Sequence, residues 1–189
     1  MIIVLGLGNP GEKYQNTRHN VGFQTLDVLQ KENNFPDFKL SRKFNSDITK
    51  GVLSGEKVIL IKPRSFMNNS GKPAKYLMKF YDLQTSNLWI IHDDIDLPIG
   101  KFKIVKNRGS AGHKGVESIK NELKNNEFIR FRIGIQPKIG KPKSSESFVL
   151  QSFDKSEKKS LKNVIKKTAE AVNFSLKENI EKAMNEFNK

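Results

Sequence analysis

Three histidines, one run of acids and a pair of asparagines are the residues from which a reaction site can be built in this chain. His19 lies in Thr17-Arg18-His19-Asn20, on a polar stretch just after the first apolar run. An imidazole there can act as a base near neutral pH, or it can simply cap the helix that follows. Asp93, in His92-Asp93-Asp94-Ile95-Asp96, stands where a second apolar run ends. A carboxylate bonded to one imidazole nitrogen fixes the tautomer and leaves the other nitrogen as base, so Asp93 is the natural partner of His19. The same acids also read as a solvated acidic turn, or as a Mg²⁺ site. The cluster is one short turn with no other acid-rich segment to complete a metal shell, and no metal is expected. The chain has no cysteine and no G-x-S-x-G elbow, which leaves water as the nucleophile for a histidine base. Hydrolysis by such a water needs donors for the developing oxyanion. Asn9 and Asn68 offer amides for it, although asparagine is also a common turn-former and cap.

These residues need elements to hold them. Residues 1–6 read as a buried strand and 7–20 as a polar loop. Residues 21–32 read as a helix with Val21, Leu26, Val28 and Leu29 facing inward. The stretch 35–55 is irregular or weakly β. Residues 58–61 form a short apolar strand, and Ser70-Gly71-Lys72-Pro73 opens a helix with Leu77, Met78 and Tyr81 inward. Residues 88–91 form another buried strand, running into the acidic turn 92–96; Pro98-Ile99-Gly100 is a turn. Residues 101–106 alternate as a half-exposed strand does, and so do 128–135. Gly109 to Gly115 is a glycine-rich loop opening a helix to about Leu123, and from Asp154 the pattern is helical and strongly charged. Alternating strands and helices argue for one α/β domain over 1–189, with a mixed, mostly parallel sheet flanked by helices and a C-terminal helical segment over about 154–189. In such sheets sites form at the carboxyl ends of strands, where Asn9, the segment after Lys62 and Asp93 can converge.

Charge narrows the substrate. Lys+Arg is 34 against 20 for Asp+Glu, a net charge of +14. A field of that sign draws in polyanions, although a lysine-rich composition alone also makes a chain soluble. Of the six arginines, Arg18, Arg64, Arg108, Arg130 and Arg132 fall in or beside the motif-like segments, where a planar fork is most useful. No apolar run approaches the ~20 residues that span a bilayer. The opening Met1-Ile2-Ile3-Val4-Leu5-Gly6 lacks a basic leader, so it reads as a strand rather than a signal peptide. A cysteine-free chain suits a reducing cytoplasm, the expected location.

Gly6-Leu7-Gly8-Asn9-Pro10-Gly11 also matches the dinucleotide fingerprint G-x-G-x-x-G. That fingerprint works only when a helix starts at the motif and aims its N-terminus at the pyrophosphate. Here helical periodicity begins near Val21, and a nicotinamide or flavin is not expected.

Together the segments resemble the bacterial peptidyl-tRNA hydrolases. The opening Gly6-Leu7-Gly8-Asn9-Pro10-Gly11-Glu12-Lys13-Tyr14 with Thr17-Arg18-His19-Asn20-Val21-Gly22-Phe23 is similar to that family's N-terminal signature. Lys62-Pro63-Arg64-Ser65-Phe66-Met67-Asn68-Asn69-Ser70-Gly71 resembles its second motif, with Ser65 where Thr is usual. His92 to Pro98, Gly109 to Gly115, Arg130 to Ile135 and Phe148 to Phe153 resemble the later ones, so the likeness runs in register over about 1–155. The resemblance implies a monomeric, metal-free and cofactor-free enzyme with no obligate protein partner. It would cleave the ester between a peptide and the 3′ end of tRNA, engaging the acceptor stem. It implies His19 as general base and Asp93 as its orienting carboxylate, with Asn9 helping to reject a free α-amine. It also implies a groove formed by Tyr14, Phe66, Met67, Asn68, His113 and Lys114, and RNA contacts near Lys101, Lys103 and Arg132. The family's fourth motif reads Gly-His-Asn-Gly, and Lys114 replaces that Asn. An ammonium donates and carries charge but cannot accept as an amide does. Two rival readings remain: a non-catalytic RNA-binding relative of the same fold, and a small-substrate esterase. A pure binder needs no base–carboxylate pair, and a small substrate needs no field of this sign.

Overall fold

The computed structural model describes residues 1–137, 140–142 and 144–189. Seven strands form one sheet: β1 (Ile2–Gly6), β2 (Lys39–Ser41), β3 (Ser46–Leu53), β4 (Glu56–Pro63), β5 (Leu88–Pro98), β6 (Phe102–Lys106) and β7 (Ile129–Gln136), in the order β2-β3-β4-β1-β5-β7-β6. The central pairings β4–β1, β1–β5 and β5–β7 are parallel; the flanking pairings β2–β3, β3–β4 and β7–β6 are antiparallel. The sheet is therefore mixed, as expected, with its parallel part in the centre.

Strands buried on both faces need helices on both faces. Helices α1 (Val21–Glu32), α5 (Lys158–Lys177) and α6 (Ile180–Phe187) cover one face. There Leu26, Leu29, Val164, Val172 and Ala183 bury Val4, Leu60, Ile91 and Phe131. Helices α2 (Gly71–Phe80) and α3 (Lys114–Leu123) cover the other, where Leu77, Met78, Val116 and Ile119 bury Ile3, Leu5, Ile61 and Ile90. Residues alternate between the two faces along each strand, as the pleat requires. A short helix, α4 (Ser145–Val149), packs its Phe148 into a small third cluster with Ile135 of β7 and Phe153. No helix among the described residues is long and apolar enough to cross a membrane.

Three expectations need correction. The acidic run 92–96 is not a turn: β5 continues through it to Pro98 because β7 goes on pairing with it, His92 opposite Arg132 and Asp93 opposite Ile133, with an irregularity between Asp94 and Pro98. β7 is not half-exposed; six of its eight residues are buried, because it lies between β5 and β6 rather than at an edge. The stretch 35–55 holds an eight-residue strand, β3, paired along its whole length with β4.

Parts of the sheet edges are short or covered. β2 has three residues. On β6, the Ile104 N–H donates to Asn188 Oδ1 (2.8 Å), and Asn188 Nδ2 donates to the Ile104 carbonyl (2.9 Å). At the carboxyl end of the sheet, α1 starts hard against β1 and β5. A Cβ on Gly22 would lie 2.4 Å from the Ile91 carbonyl oxygen and 2.6 Å from the Leu7 amide nitrogen, so only glycine permits that approach. The residues just before Gly22 are thereby brought over the end of β5.

Candidate active site

The chain before α1 makes a tight turn, Arg18–Asn20, and His19 on it meets Asp93 across the sheet end. His19 Nδ1 lies 2.8 Å from Asp93 Oδ1. The turn was expected to be an exposed polar loop, yet Thr17, Arg18, His19 and Asn20 are all buried. His19 does not cap α1; Asn20 holds the N-cap position, without a side-chain cap bond.

Asp93 has a second partner. His113 Nε2 lies 2.9 Å from the same Oδ1. The other nitrogen of that ring, Nδ1, accepts from the backbone N–H groups of Gly115 (3.1 Å) and Val116 (3.3 Å) at the start of α3. Nδ1 must therefore keep its lone pair, and the ring proton sits on Nε2, donated to Asp93. Moving it to Nδ1 would set a proton against two buried donors, at about 1–3 kcal/mol for each group left unpaired. His113 is thus a fixed donor as well as the cap of α3, and its ring uses the first amides of that helix.

Burial by itself raises the Asp93 carboxyl; the charges and hydrogen bonds of His19 and His113 outweigh it and hold the group well below the usual carboxylate range. With Asp93 ionised it only accepts, so His19 Nδ1 carries a proton and donates it. His19 Nε2 is left as the lone pair available to a reactant. Behind this pair lies His92, fully buried, its Nδ1 donating to the Asp93 carbonyl (2.6 Å) and its ring edge-on to His113 at 4.7 Å. Burial pushes the His92 imidazole well below its ordinary value, with His113 and Arg130 adding to the shift, so it is a neutral wall.

His19, Asp93 and His113 offer three atoms within 4.8 Å of one another, the kind of group that can hold a metal. Tetrahedral ligands 2.0–2.1 Å from zinc are about 3.3 Å apart. The contacts to Asp93 Oδ1 are shorter, at 2.8 and 2.9 Å, and His113 Nε2 carries a proton. The arrangement fits hydrogen bonds rather than a ligand shell. The Mg²⁺ reading of the acidic run fails on the same grounds, since each carboxylate has its own partner. Asp94 binds Arg132 Nε (2.5 Å) and the Asp96 amide (2.9 Å), and Asp96 binds Lys141 (2.6 Å).

Asn9 reaches the same strand end from β1. Its Oδ1 accepts from the Met67 N–H (2.9 Å), which settles which way the amide faces. Its main chain is held on both sides: the Asn9 N–H donates to Asn20 Oδ1 (2.9 Å), and Asn20 Nδ2 donates to the Asn9 carbonyl (2.9 Å). Asn9 Nδ2 is left as an oriented donor. Asn20, peptide-bonded to His19, was not singled out by sequence, and nothing in its spacing marks it among the asparagines. Glycines 6 and 8 pack on Gly22 and Phe23 of α1, so the G-x-G-x-x-G segment serves helix–strand contact, not a dinucleotide.

The expected groove residues divide. A cavity of about 200 Å³ is lined by His19, Asp93, His113 and Lys114 on one side and by Ser145, Glu146 and Val149 of α4 on the other. A second depression beside it, about 350 Å³, takes in Asn9, Asn20, Lys62 and Arg64. Phe66 is 58% exposed and meets Tyr14 edge-on at 6.5 Å; Asn68 is exposed. Met67 is instead buried. Its sulfur sits where a Cβ on Gly115 would come within 2.5 Å, and its backbone amide is what reaches the site. Lys101 and Lys103 are exposed, with Lys103 opposite Arg132 in register. Arg132, however, is committed to Asp94. Lys114 is exposed and bonds Glu146 across the cavity mouth at 2.7 Å.

Comparison with known proteins agrees in scale and register. A family model described as peptidyl-tRNA hydrolase matches residues 3–189. The chain is 41% identical over 188 residues to the peptidyl-tRNA hydrolase of Bacillus licheniformis, covering all of this chain and 98% of that one. It is 44% identical over 189 residues to that of a Thermoanaerobacter species, with both chains covered in full. Among solved structures, the peptidyl-tRNA hydrolase of Acinetobacter baumannii superposes with a TM-score of 0.92 at 30% identity, over 100% of this chain and 94% of that chain.

Proposed function

Because the chain belongs to the peptidyl-tRNA hydrolase family, and so is an ester hydrolase acting on peptidyl-tRNA, we propose that His19 is the base that activates the attacking water. The observation that carries this is the bond from His19 Nδ1 to Asp93 Oδ1, which uses that nitrogen as donor and leaves Nε2 as the free lone pair of a residue lining the cavity. Water loses a proton to Nε2 and attacks the ester carbonyl. The imidazolium is stabilised by Asp93, and the same proton goes to the departing 3′ oxygen of the tRNA. Asn9 Nδ2 is the donor already held in place for the oxyanion, whereas exposed Asn68 must be ordered by substrate. Tyr14 and Phe66 give aromatic surface for the peptide or the terminal base. Asp93 with Asn9 and His19 makes little sense in a pure RNA binder. A turnover assay with N-blocked aminoacyl-tRNA, beside a small acetyl ester, separates the readings. Release from the tRNA substrate alone is the expected result, and hydrolysis of both at equal efficiency defeats the role given to RNA.

Affinity for the RNA part rests on phosphate contacts and falls steeply with salt. Lys101 and Lys103, exposed at and beside the start of β6, are offered to the RNA, because Arg132 on the neighbouring β7 is spent on Asp94. Lys103→Ala is expected to reduce the slope of log K against log salt by about one contact. A dissociation constant independent of salt contradicts this.

Lys114 enters differently from the amide it replaces. Its ammonium is already paired with Glu146, whose carboxyl it lowers by hydrogen bond and charge. Exposed pairs of this kind are weak and readily exchanged for a phosphate. Lys114→Asn is expected to keep or improve turnover while weakening the salt-dependent part of binding by about one contact. Lys114→Glu, which faces Glu146 as well as phosphate, damages binding far more. Binding and turnover equal to wild type for both, across a salt series, makes Lys114 a solvated surface residue.

A further inference from the structure

Arg18, the residue before His19, is 5% exposed and carries its charge inside the protein. Its two terminal nitrogens bind Glu157 in a fork, Nη1 to Oε1 at 3.0 Å and Nη2 to Oε2 at 2.7 Å, across 139 residues of sequence. The guanidinium is sandwiched between two rings, Phe148 at 4.3 Å and Phe153 at 4.6 Å. A buried ion pair is poor evidence for stability, since apolar residues of similar size often serve as well; its better-attested use is to fix a register.

What this pair fixes can be read from its neighbours. The Arg18 N–H donates to the Gln151 carbonyl (3.0 Å), and Thr17 pairs with Ser152 in an isolated antiparallel bridge. Glu157 is itself held: its Oε2 accepts from the Asp154 N–H (2.9 Å), and its own N–H donates to Asp154 Oδ1 (2.9 Å). Phe148 belongs to α4, the helix whose Ser145, Glu146 and Val149 wall the cavity opposite His19. One cation is thus tied to the backbone of the base on one side and to the cavity wall on the other.

We propose that Arg18 and Glu157 are positioning residues for the reaction, a buried clamp that sets His19 over Asp93 and holds α4 at the working distance. This rests on His19 being the base. Geometry matters at this level because a misplacement of about 1 Å can cost on the order of 100-fold in rate.

The test compares Arg18→Lys, Glu157→Gln and the double variant Arg18→Met/Glu157→Met with wild type and His19→Ala. Readouts are Tm, kcat and KM for peptide release, and the downfield proton NMR signal of the His19–Asp93 bond. The double variant fills the slot between the two rings with apolar side chains, so its fold is expected to survive. Its kcat should fall at least ~10-fold with KM changed little, and the downfield signal should broaden or shift. Arg18→Lys keeps the charge and loses the fork, and should fall in between. Any of the three that is folded at the assay temperature and shows wild-type kcat and an unshifted signal overturns the proposal. That includes a variant that loses only Tm. If His19→Ala is itself fully active, the reading of His19 fails, and that outcome is distinct from normal clamp variants beside an inactive His19→Ala.

Discussion

Replacing His19 by alanine is expected to slow peptide release from peptidyl-tRNA at least ~100-fold, the usual scale for a general base. Binding should be nearly unchanged. The two halves follow from different atoms. Nδ1 is committed to Asp93, so removing the ring removes the one lone pair, on Nε2, that water can reach. The aromatics Tyr14 and Phe66 and the cations Lys101 and Lys103, to which substrate contacts are assigned above, remain in place. Single-turnover release measures the first half and a dissociation constant for the uncleaved substrate measures the second. Normal turnover by the variant removes His19 from the mechanism.

Asp93→Asn is expected to cost on the order of 10³-fold or more, the scale for losing an orienting carboxylate. Two imidazoles converge on one oxygen here, and an amide can serve them in two ways. If its oxygen faces the rings, both bonds survive, but the negative charge that stabilises the His19 imidazolium is gone. If its nitrogen faces them, it opposes the His113 Nε2–H and engages the Nδ1 lone pair of His19 instead, the His19 proton moves to Nε2, and the base disappears. Either orientation slows the reaction without emptying the cavity. Stability also changes with a defined sign. The imidazoles hold the Asp93 carboxyl below its ordinary value of about 3.9, so folding favours the ionised form. That contribution is complete above the ordinary value and is lost as pH falls through the lower folded one. The unfolding free energies of wild type and Asp93→Asn should therefore converge in acid and separate towards neutrality. A constant gap across that range contradicts the assignment.

The central strands and the helices on both faces were legible in sequence because they depend on short-range pattern. Runs such as Ile3-Val4-Leu5 and Val58-Ile59-Leu60-Ile61 have nowhere to go but a sheet covered on both faces. His19, Asp93 and Asn9 could be named because each stands just past such a run. The acidic run was misread as a turn because its surface look depends on strand pairing and on partners far along the chain. Asp93 is answered by residues 74 and 20 positions away, and Asp94 by Arg132 38 positions away. The same holds for Arg18, marked in sequence only as a place for a planar fork, because its partner Glu157 arrives from 139 residues downstream. His113 could be suspected as a groove residue, but its tautomer is written only in the two amides of α3 that its ring caps. β3 showed only as irregular or weakly β because Ser46-Asp47-Ile48-Thr49-Lys50 mixes polar and apolar residues on a strand that is second from the edge.

The covered edges of the sheet bear on how the enzyme treats the peptide it releases. An unfinished peptide is an extended chain with unpaired amides, and an open strand edge would take it up by backbone pairing. Here Asn188 occupies the amide and carbonyl of Ile104 on β6, and β2 is only three residues long. Neither place offers an incoming peptide a long open ladder to pair with.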